Sequence, residues 1–342
     1  MIEEISRANE HSGRTKEPVE RSRLENFRRF NEQGGKFRLA IINACNLSCF
    51  FCHNEAMKSS AQNELSTEDF IEIANAYAGL GGHQINLTGG EPLAHPDLPL
   101  IIESIVRRES RLVVNTNGLL YKRLTSRPRI EALDTLLVSL HTVDNDVFKK
   151  DLGGRDVHEV QRGILALRDH GYRVKLNLSL GPHNASGFEA VLNWCVENEL
   201  DLKVIALVRP TEAPGFYGGD WVDPDSAMQS IQHVAQLFSQ HEQLGGAITT
   251  FHGPASTIEL KNIARARLRT DFCRGCNVSG LCGEGIYGLR IGVDGISKPC
   301  LLRFERHRKL DRSVSWEEQI LSTIDEMMGD PANAKFYSGA PA

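Results

Sequence analysis

The chain has 342 residues, a mass of 38.0 kDa and a formal net charge of −5. That balance excludes the broad basic face needed for general nucleic-acid or anionic-membrane binding. No apolar run approaches the roughly 20 residues of a membrane span, and the first 35 residues are charged throughout. A soluble, cytoplasmic protein with neither a membrane nor a nucleic acid as partner is therefore expected. Seven of its eight cysteines fall in two tight groups, a pattern of metal or cluster ligation rather than of disulfides.

Three regions are predicted: a charged lead-in (1–35), a barrel (36–243) and a cysteine-rich extension with a C-terminal helix (244–342). The lead-in alternates acidic and basic residues, is interrupted by Pro18 and ends at Gly34-Gly35, which predicts a solvated, partly helical segment. Lys36–Ile42 is a β-rich run delivering the first cysteine group. Ser66 and Asp69 stand in capping-box spacing, and Phe70, Ile73, Ala74 and Tyr77 repeat at helical period. The cycle continues with strand His83–Thr88, helix Leu98–Arg107, strand Leu112–Val114, a further helix and strand Thr135–Leu140. Helix faces at Val157–Leu167 and Phe188–Val196 alternate with strands Val174–Leu180 and Leu202–Val208. Six strand–helix units predict a parallel sheet with right-handed crossovers, too few for a closed eight-unit barrel. The fold class is thus α/β, a partial (β/α)6 TIM-type barrel with a small cysteine-rich extension. Arg209–Gly219 reads as a loop, Asp225–His241 as a helix and Ala247–Phe251 as a strand. A basic stretch (Lys261, Arg265, Arg267, Arg269) then enters the second cysteine group.

The first group is Cys45-Asn46-Leu47-Ser48-Cys49-Phe50-Phe51-Cys52. Three soft thiolates can hold zinc or an iron–sulfur cluster; a zinc or electron-transfer site normally takes a fourth ligand, whereas three on a four-iron cluster leave one iron open. The spacing C-x3-C-x2-C, with aromatic Phe51 before the last cysteine, resembles the radical S-adenosylmethionine (SAM) superfamily. The resemblance implies a [4Fe–4S] cluster on Cys45, Cys49 and Cys52, SAM on the free iron, and reductive cleavage to a 5′-deoxyadenosyl radical. Gly89-Gly90-Glu91-Pro92 resembles that superfamily's SAM-contacting element, and Asn117 and Ser139 match positions that approach SAM. His141 stands where an acidic residue is usual.

The second group, Cys273, Cys276, Cys282 and Cys300, is spaced C-x2-C-x5-C-x17-C. Four thiolates can close a zinc site or a cluster, and three can leave an iron open. With Leu289-Arg290-Ile291 and Asp294–Leu301, the group resembles the C-terminal region of the GTP 3′,8-cyclase family. That implies a second [4Fe–4S] cluster on Cys273, Cys276 and Cys300, with Cys282 available as a fourth ligand. It also implies substrate contacts from Arg38, Lys175 and Arg290, cations suited to a phosphorylated small molecule, and an electron donor such as flavodoxin or ferredoxin. Tyr287 and Gly288 replace an Asn and an Arg of that family. No individual catalytic residue is assigned. The leading expectation is a radical SAM enzyme acting on a nucleotide-type substrate. The alternatives are a peptide- or protein-modifying radical enzyme, suggested by the C-x2-C-x5-C spacing, and a non-enzymatic zinc or cluster scaffold. Gly283-Glu284-Gly285-Ile286-Tyr287-Gly288 spells G-x-G-x-x-G, but no βαβ unit surrounds it, and Cys195 lies on an apolar helix face.

Overall fold

Apolar strand runs, each followed by an amphipathic helix, set the architecture. The computed structural model describes residues 21–57, 64–207, 222–277, 279, 282 and 284–338. Helix α1 (21–32) leads into β1 (Lys36–Ile42), α2 (Thr67–Gly79), β2 (Gln84–Gly89), α3 (Leu98–Ser104), β3 (Arg111–Thr116), α4 (Lys122–Thr125) and β4 (Thr135–Ser139). Next come α5 (Asn145–Leu152), α6 (Val157–Asp169), β5 (Val174–Leu180), α7 (Phe188–Glu197) and β6 (Asp201–Ala206). Strands β1 to β6 pair in sequence order, all parallel. Their inward residues line one cavity of about 640 Å³, so the sheet curls into the expected partial barrel.

Beyond β6 the chain forms α8 (Met228–Val234), β7 (Gln236–Gln243), β8 (Gly245–His252) and β9 (Thr257–Arg269). Then follow β10 (Gly288–Ile291), β11 (Ile296–Lys298), β12 (Arg308–Lys309), α9 (Trp316–Met328) and β13 (Lys335–Tyr337). Strand β10 adds parallel to β1, and β9 adds parallel to β6. The sheet therefore runs β12-β11-β10-β1-β2-β3-β4-β5-β6-β9-β8-β7, with β13 on β9. Residue 244 lies in the turn between β7 and β8, and the sheet continues across it.

Two expectations are corrected. The helix over Asp225–His241 stops at Val234, where Ala235 is extended, and Gln236–Gln243 becomes the edge strand β7. Its side chains are mostly exposed, so no apolar alternation marks it, and pairing with β8 decides its state. The lead-in is not solvated over α1: Phe27 and Phe30 are buried. Asn26 donates to Asp325 at 2.7 Å and Arg29 to the Met328 carbonyl at 2.9 Å, fastening α1 to α9. Residues 1–20, the 209–219 loop, Gly283 and residues 339–342 lie outside the described residues.

Candidate active site

The cysteine loop leaves β1 at the C-terminal ends of the parallel strands, where such barrels carry their sites. Its backbone is tied to the end of α5: the Ser48 and Phe50 amides donate to the Leu152 and Asp151 carbonyls, each at 3.1 Å. Cys45, Cys49 and Cys52 all line the cavity. Burial pushes all three thiols up, Cys49 to about 12, with the Cys52 and Cys45 charges adding to burial there. Three soft donors that share one opening and disfavour bare thiolates suit a metal centre that deprotonates them outright. Each thiolate of a four-iron cluster binds its own iron, so the three need not converge on one point. Among the described residues no three His, Cys, Asp or Glu side chains form a single-ion site.

Glycine is required at Gly89 and Gly90 because backbone meets backbone. Gly89 has φ +135°, and a Cβ there would fall 2.1 Å from the Ile42 carbonyl oxygen; at Gly90 it would fall 2.2 Å from that of Ala44. The Gly90 and Glu91 amides donate to those same carbonyls at 2.7 and 2.9 Å. The turn thus grips the strand that delivers Cys45, in addition to lining the cavity. Buried Glu91 extends the grip to β3, accepting from Thr116 Oγ1 (2.6 Å), the Asn117 amide (2.7 Å) and the Leu93 amide (2.9 Å). Asn117 in turn donates to Asn46 Oδ1 at 2.7 Å, within the cysteine loop. Gly90→Ala should displace the loop, and iron retained after anaerobic purification should fall severalfold; unchanged iron would show that the turn does not position the cysteines.

Phe51 is buried with its ring edge-on to Phe50 and His141, at 5.0 Å each. It packs the base of the loop. Ser139, at the end of β4, lines the cavity, as does His141. His141 Nδ1 accepts from the Ser179 amide at 3.1 Å. Burial, reinforced by His183, lowers the imidazole to about 3, so it is neutral at physiological pH.

The three cations expected to meet substrate are all ion-paired. Arg38 holds Glu55 through Nε at 3.0 and 3.1 Å and through a short Nη2 contact. Arg290 reaches Glu55 at 3.1 Å and Glu284 at 2.7 Å. Lys175 pairs with Glu259 at 2.7 Å. Sequence reasoning passed over a second set: Lys36, Lys203 and Lys261 line the same cavity and make no salt bridge among the described residues. Burial lowers all three, Lys36 to about 8, with Lys203 adding at Lys36 and at Lys261. Lys261 stands 3.9 Å over the Tyr287 ring. Their alternation on β1, β6 and β9 was visible, but only the pairing of β9 with β6 shows that these strands face one space.

Tyr287 and Arg290 form part of the cavity wall, which none of the four cysteines of the second group lines. Cys300 is buried, and Cys273, Cys276 and Cys282 are half-buried. Burial pushes Cys273 up, with the Cys282 and Cys276 charges adding, while Cys300 is raised by burial, Glu284 and Cys282. The Gly285 and Leu302 amides donate to Cys282 and Cys300 sulfur, each at 3.4 Å. This all-sulfur donor set with N–H groups aimed at sulfur suits a thiolate-bound cluster.

A partial barrel with an open three-cysteine loop at its strand ends defines a class of cluster-dependent enzymes, and comparison with known proteins agrees. The family description "Radical SAM superfamily" matches residues 39–195. A protein named "Probable GTP 3′,8-cyclase" from Archaeoglobus fulgidus is 32% identical over 274 residues, 78% of this chain and 86% of that one. Among solved structures, Streptococcus suis SuiB bound to its precursor peptide SuiA matches with a TM-score of 0.57 at 15% identity. The match covers 87% of this chain and 66% of SuiB, so the chain spans just under two thirds of that protein. Native anSMEcpe with bound AdoMet matches with a TM-score of 0.51 at 13% identity, over 85% and 80% of the two chains. These two show the fold alone. The chain belongs to the radical SAM superfamily and is an enzyme. Membership implies a [4Fe–4S] cluster, SAM and a source of electrons. Among the described residues no helix is long and apolar enough to cross a membrane.

Proposed function

We propose that this radical SAM enzyme abstracts hydrogen from an anionic, nucleotide-type small molecule, as a cyclase of the GTP 3′,8 type would. The observation that carries the reading is the trio Lys36, Lys203 and Lys261, half-buried cations that make no salt bridge among the described residues, in a cavity that also holds the cysteine loop. Partly desolvated charge without an ion-pair partner is costly, and a bound polyphosphate would neutralise it. When bound, the cluster and SAM supply one-electron cleavage of a sulfonium bond, the chemistry of the class. In this reading Cys45, Cys49 and Cys52 hold the cluster, and Gly89, Gly90, Glu91, Asn117 and Ser139 shape the SAM end. The lysines fix the anionic end, with Lys175 joining them when Glu259 releases it. Arg38 and Arg290 act through Glu55 as the wall's scaffold. Cys273, Cys276 and Cys300 hold a second [4Fe–4S] cluster, with Cys282 beside it, and a flavodoxin- or ferredoxin-type donor supplies electrons.

The test is anaerobic incubation of reconstituted protein with SAM, dithionite and GTP. Formation of 5′-deoxyadenosine together with a GTP-derived product supports the reading, and about eight irons per chain supports two clusters. Lys203→Met and Lys261→Met should each weaken GTP binding tenfold or more. Because Lys36 titrates near 8, GTP affinity should fall as pH rises through 8, approaching tenfold per pH unit for one linked proton. Flat affinity from pH 7 to 9 would remove the lysines from the site. The Cys273-x2-Cys276-x5-Cys282 spacing favours a second reading, a peptide-modifying enzyme. That reading expects SAM cleavage without GTP turnover and insensitivity to both lysine substitutions.

A further inference from the structure

We infer that Glu55, Arg290 and Glu284 form a buried charge relay that joins the two cysteine groups, with Arg290 and Glu284 as positioning residues that set the reduction potential of the second. This rests on the proposal that Cys273, Cys276 and Cys300 hold a cluster.

The relay is continuous. It begins three residues after Cys52 at Glu55, which is 4% exposed and held at φ +50°, a conformation non-glycine residues seldom adopt. That backbone turns its carboxylate inward, where Thr88 Oγ1 also donates to it at 3.1 Å. Arg290 on β10 donates Nε to Glu55 at 3.1 Å and Nη1 to Glu284 at 2.7 Å. Arg290 and Glu284 are each 1% exposed. Glu284 sits two residues after Cys282; burial pushes its carboxyl up, and the paired Arg290 guanidinium is the largest influence opposing that. Two further contacts hold the guanidinium in place: Nη1 to the Gly288 carbonyl at 3.1 Å and Nη2 to the Tyr287 hydroxyl at 3.2 Å.

Burial is what gives the relay influence. Charges in a low-dielectric interior interact far more strongly than in water and are little screened by salt. Arg290 and Glu284, paired at 2.7 Å and each 1% exposed, carry opposite charges beside the second cysteine group, Glu284 lying two residues from Cys282. A reduced cluster carries one more negative charge than its oxidised form, so a nearby cation favours reduction and a nearby anion opposes it. Removing Glu284 leaves Arg290 less compensated; removing Arg290 does the reverse.

The experiment is redox titration of the holoenzyme, followed by electron paramagnetic resonance, for wild type, Glu284→Gln, Arg290→Gln and the double variant. The signal of the second group is assigned by its absence in a Cys273/Cys276/Cys300→Ala variant. Glu284→Gln should raise its reduction equilibrium constant about tenfold, ~59 mV for a one-electron couple. Arg290→Gln should lower it by a similar factor, and the double variant should return toward wild type. The first group's potential should move less in Glu284→Gln, because Arg38 still holds Glu55. Structural damage would not produce opposite signs that cancel. Shifts of one sign in both single variants, or none, would overturn the relay while the second cluster stands. About four irons in wild type would overturn both.

Discussion

A variant with Cys45, Cys49 and Cys52 all changed to alanine is expected to lose about four irons per chain and to form no 5′-deoxyadenosine from SAM. Its apoprotein should melt within about 0.5 kcal/mol of apo wild type, as is usual for surface substitutions. The fold does not depend on these thiols: Cys45 and Cys52 are exposed, and the loop's anchors to α5 are backbone hydrogen bonds from Ser48 and Phe50. Comparison must be between apoproteins, because metal binding itself adds stability. Iron and sulfide analysis with chromatography of the nucleoside checks the result. Retained SAM cleavage would move the cluster away from the first loop.

Glu55→Ala should be the most destabilising single change near the site, at about 3–5 kcal/mol, because it leaves half-buried Arg38 and buried Arg290 without their shared anion. Alanine would also inherit the strained φ of +50°. The Arg38 and Arg290 guanidinium groups outweigh burial and hold the Glu55 carboxyl far below the usual carboxylate range. A depressed folded-state pKa stabilises the protein above the unfolded value, near 4.3, and that contribution is lost as pH falls below it. Wild type should therefore lose stability between roughly pH 4 and pH 2, and Glu55→Ala should lack that component. Urea melts across this range measure both effects, and identical pH profiles would refute the hub role.

The barrel was legible because its signals are local. Ser66 caps α2 with Asp69 in a reciprocal capping box, and β1 and β5 begin and end where the residue pattern places them. The cysteine loop and the Gly89-Gly90 turn were equally readable, since their chemistry lies in contiguous residues. What stayed hidden depends on partners distant in sequence. The 261–269 basic stretch is part of β9, whose identity comes from lying between β6 and β8. Arg38, Lys175 and Arg290 read as free cations because Glu55, Glu259 and Glu284, which pair with them, carry no local mark. Lys36 and Lys203, in turn, look like strand-end surface residues until the sheet curls.

The fastening of α1 to α9 also bears on how the chain is made. Strand β1 completes its pairing only when β10 arrives; Asn31 of α1 is held early, by Tyr77 and the His83 amide, but Asn26 and Arg29 find their partners in α9 and the residue after it. At a ribosomal rate of ~5–20 residues per second, the cysteine loop thus spends on the order of tens of seconds attached to an unfinished barrel. During that interval its three thiols are open to oxidation and to adventitious metals. A chain truncated before α9 would leave Asn26 and Arg29 of α1 without their Asp325 and Met328 acceptors, so the first helix and the last are secured together.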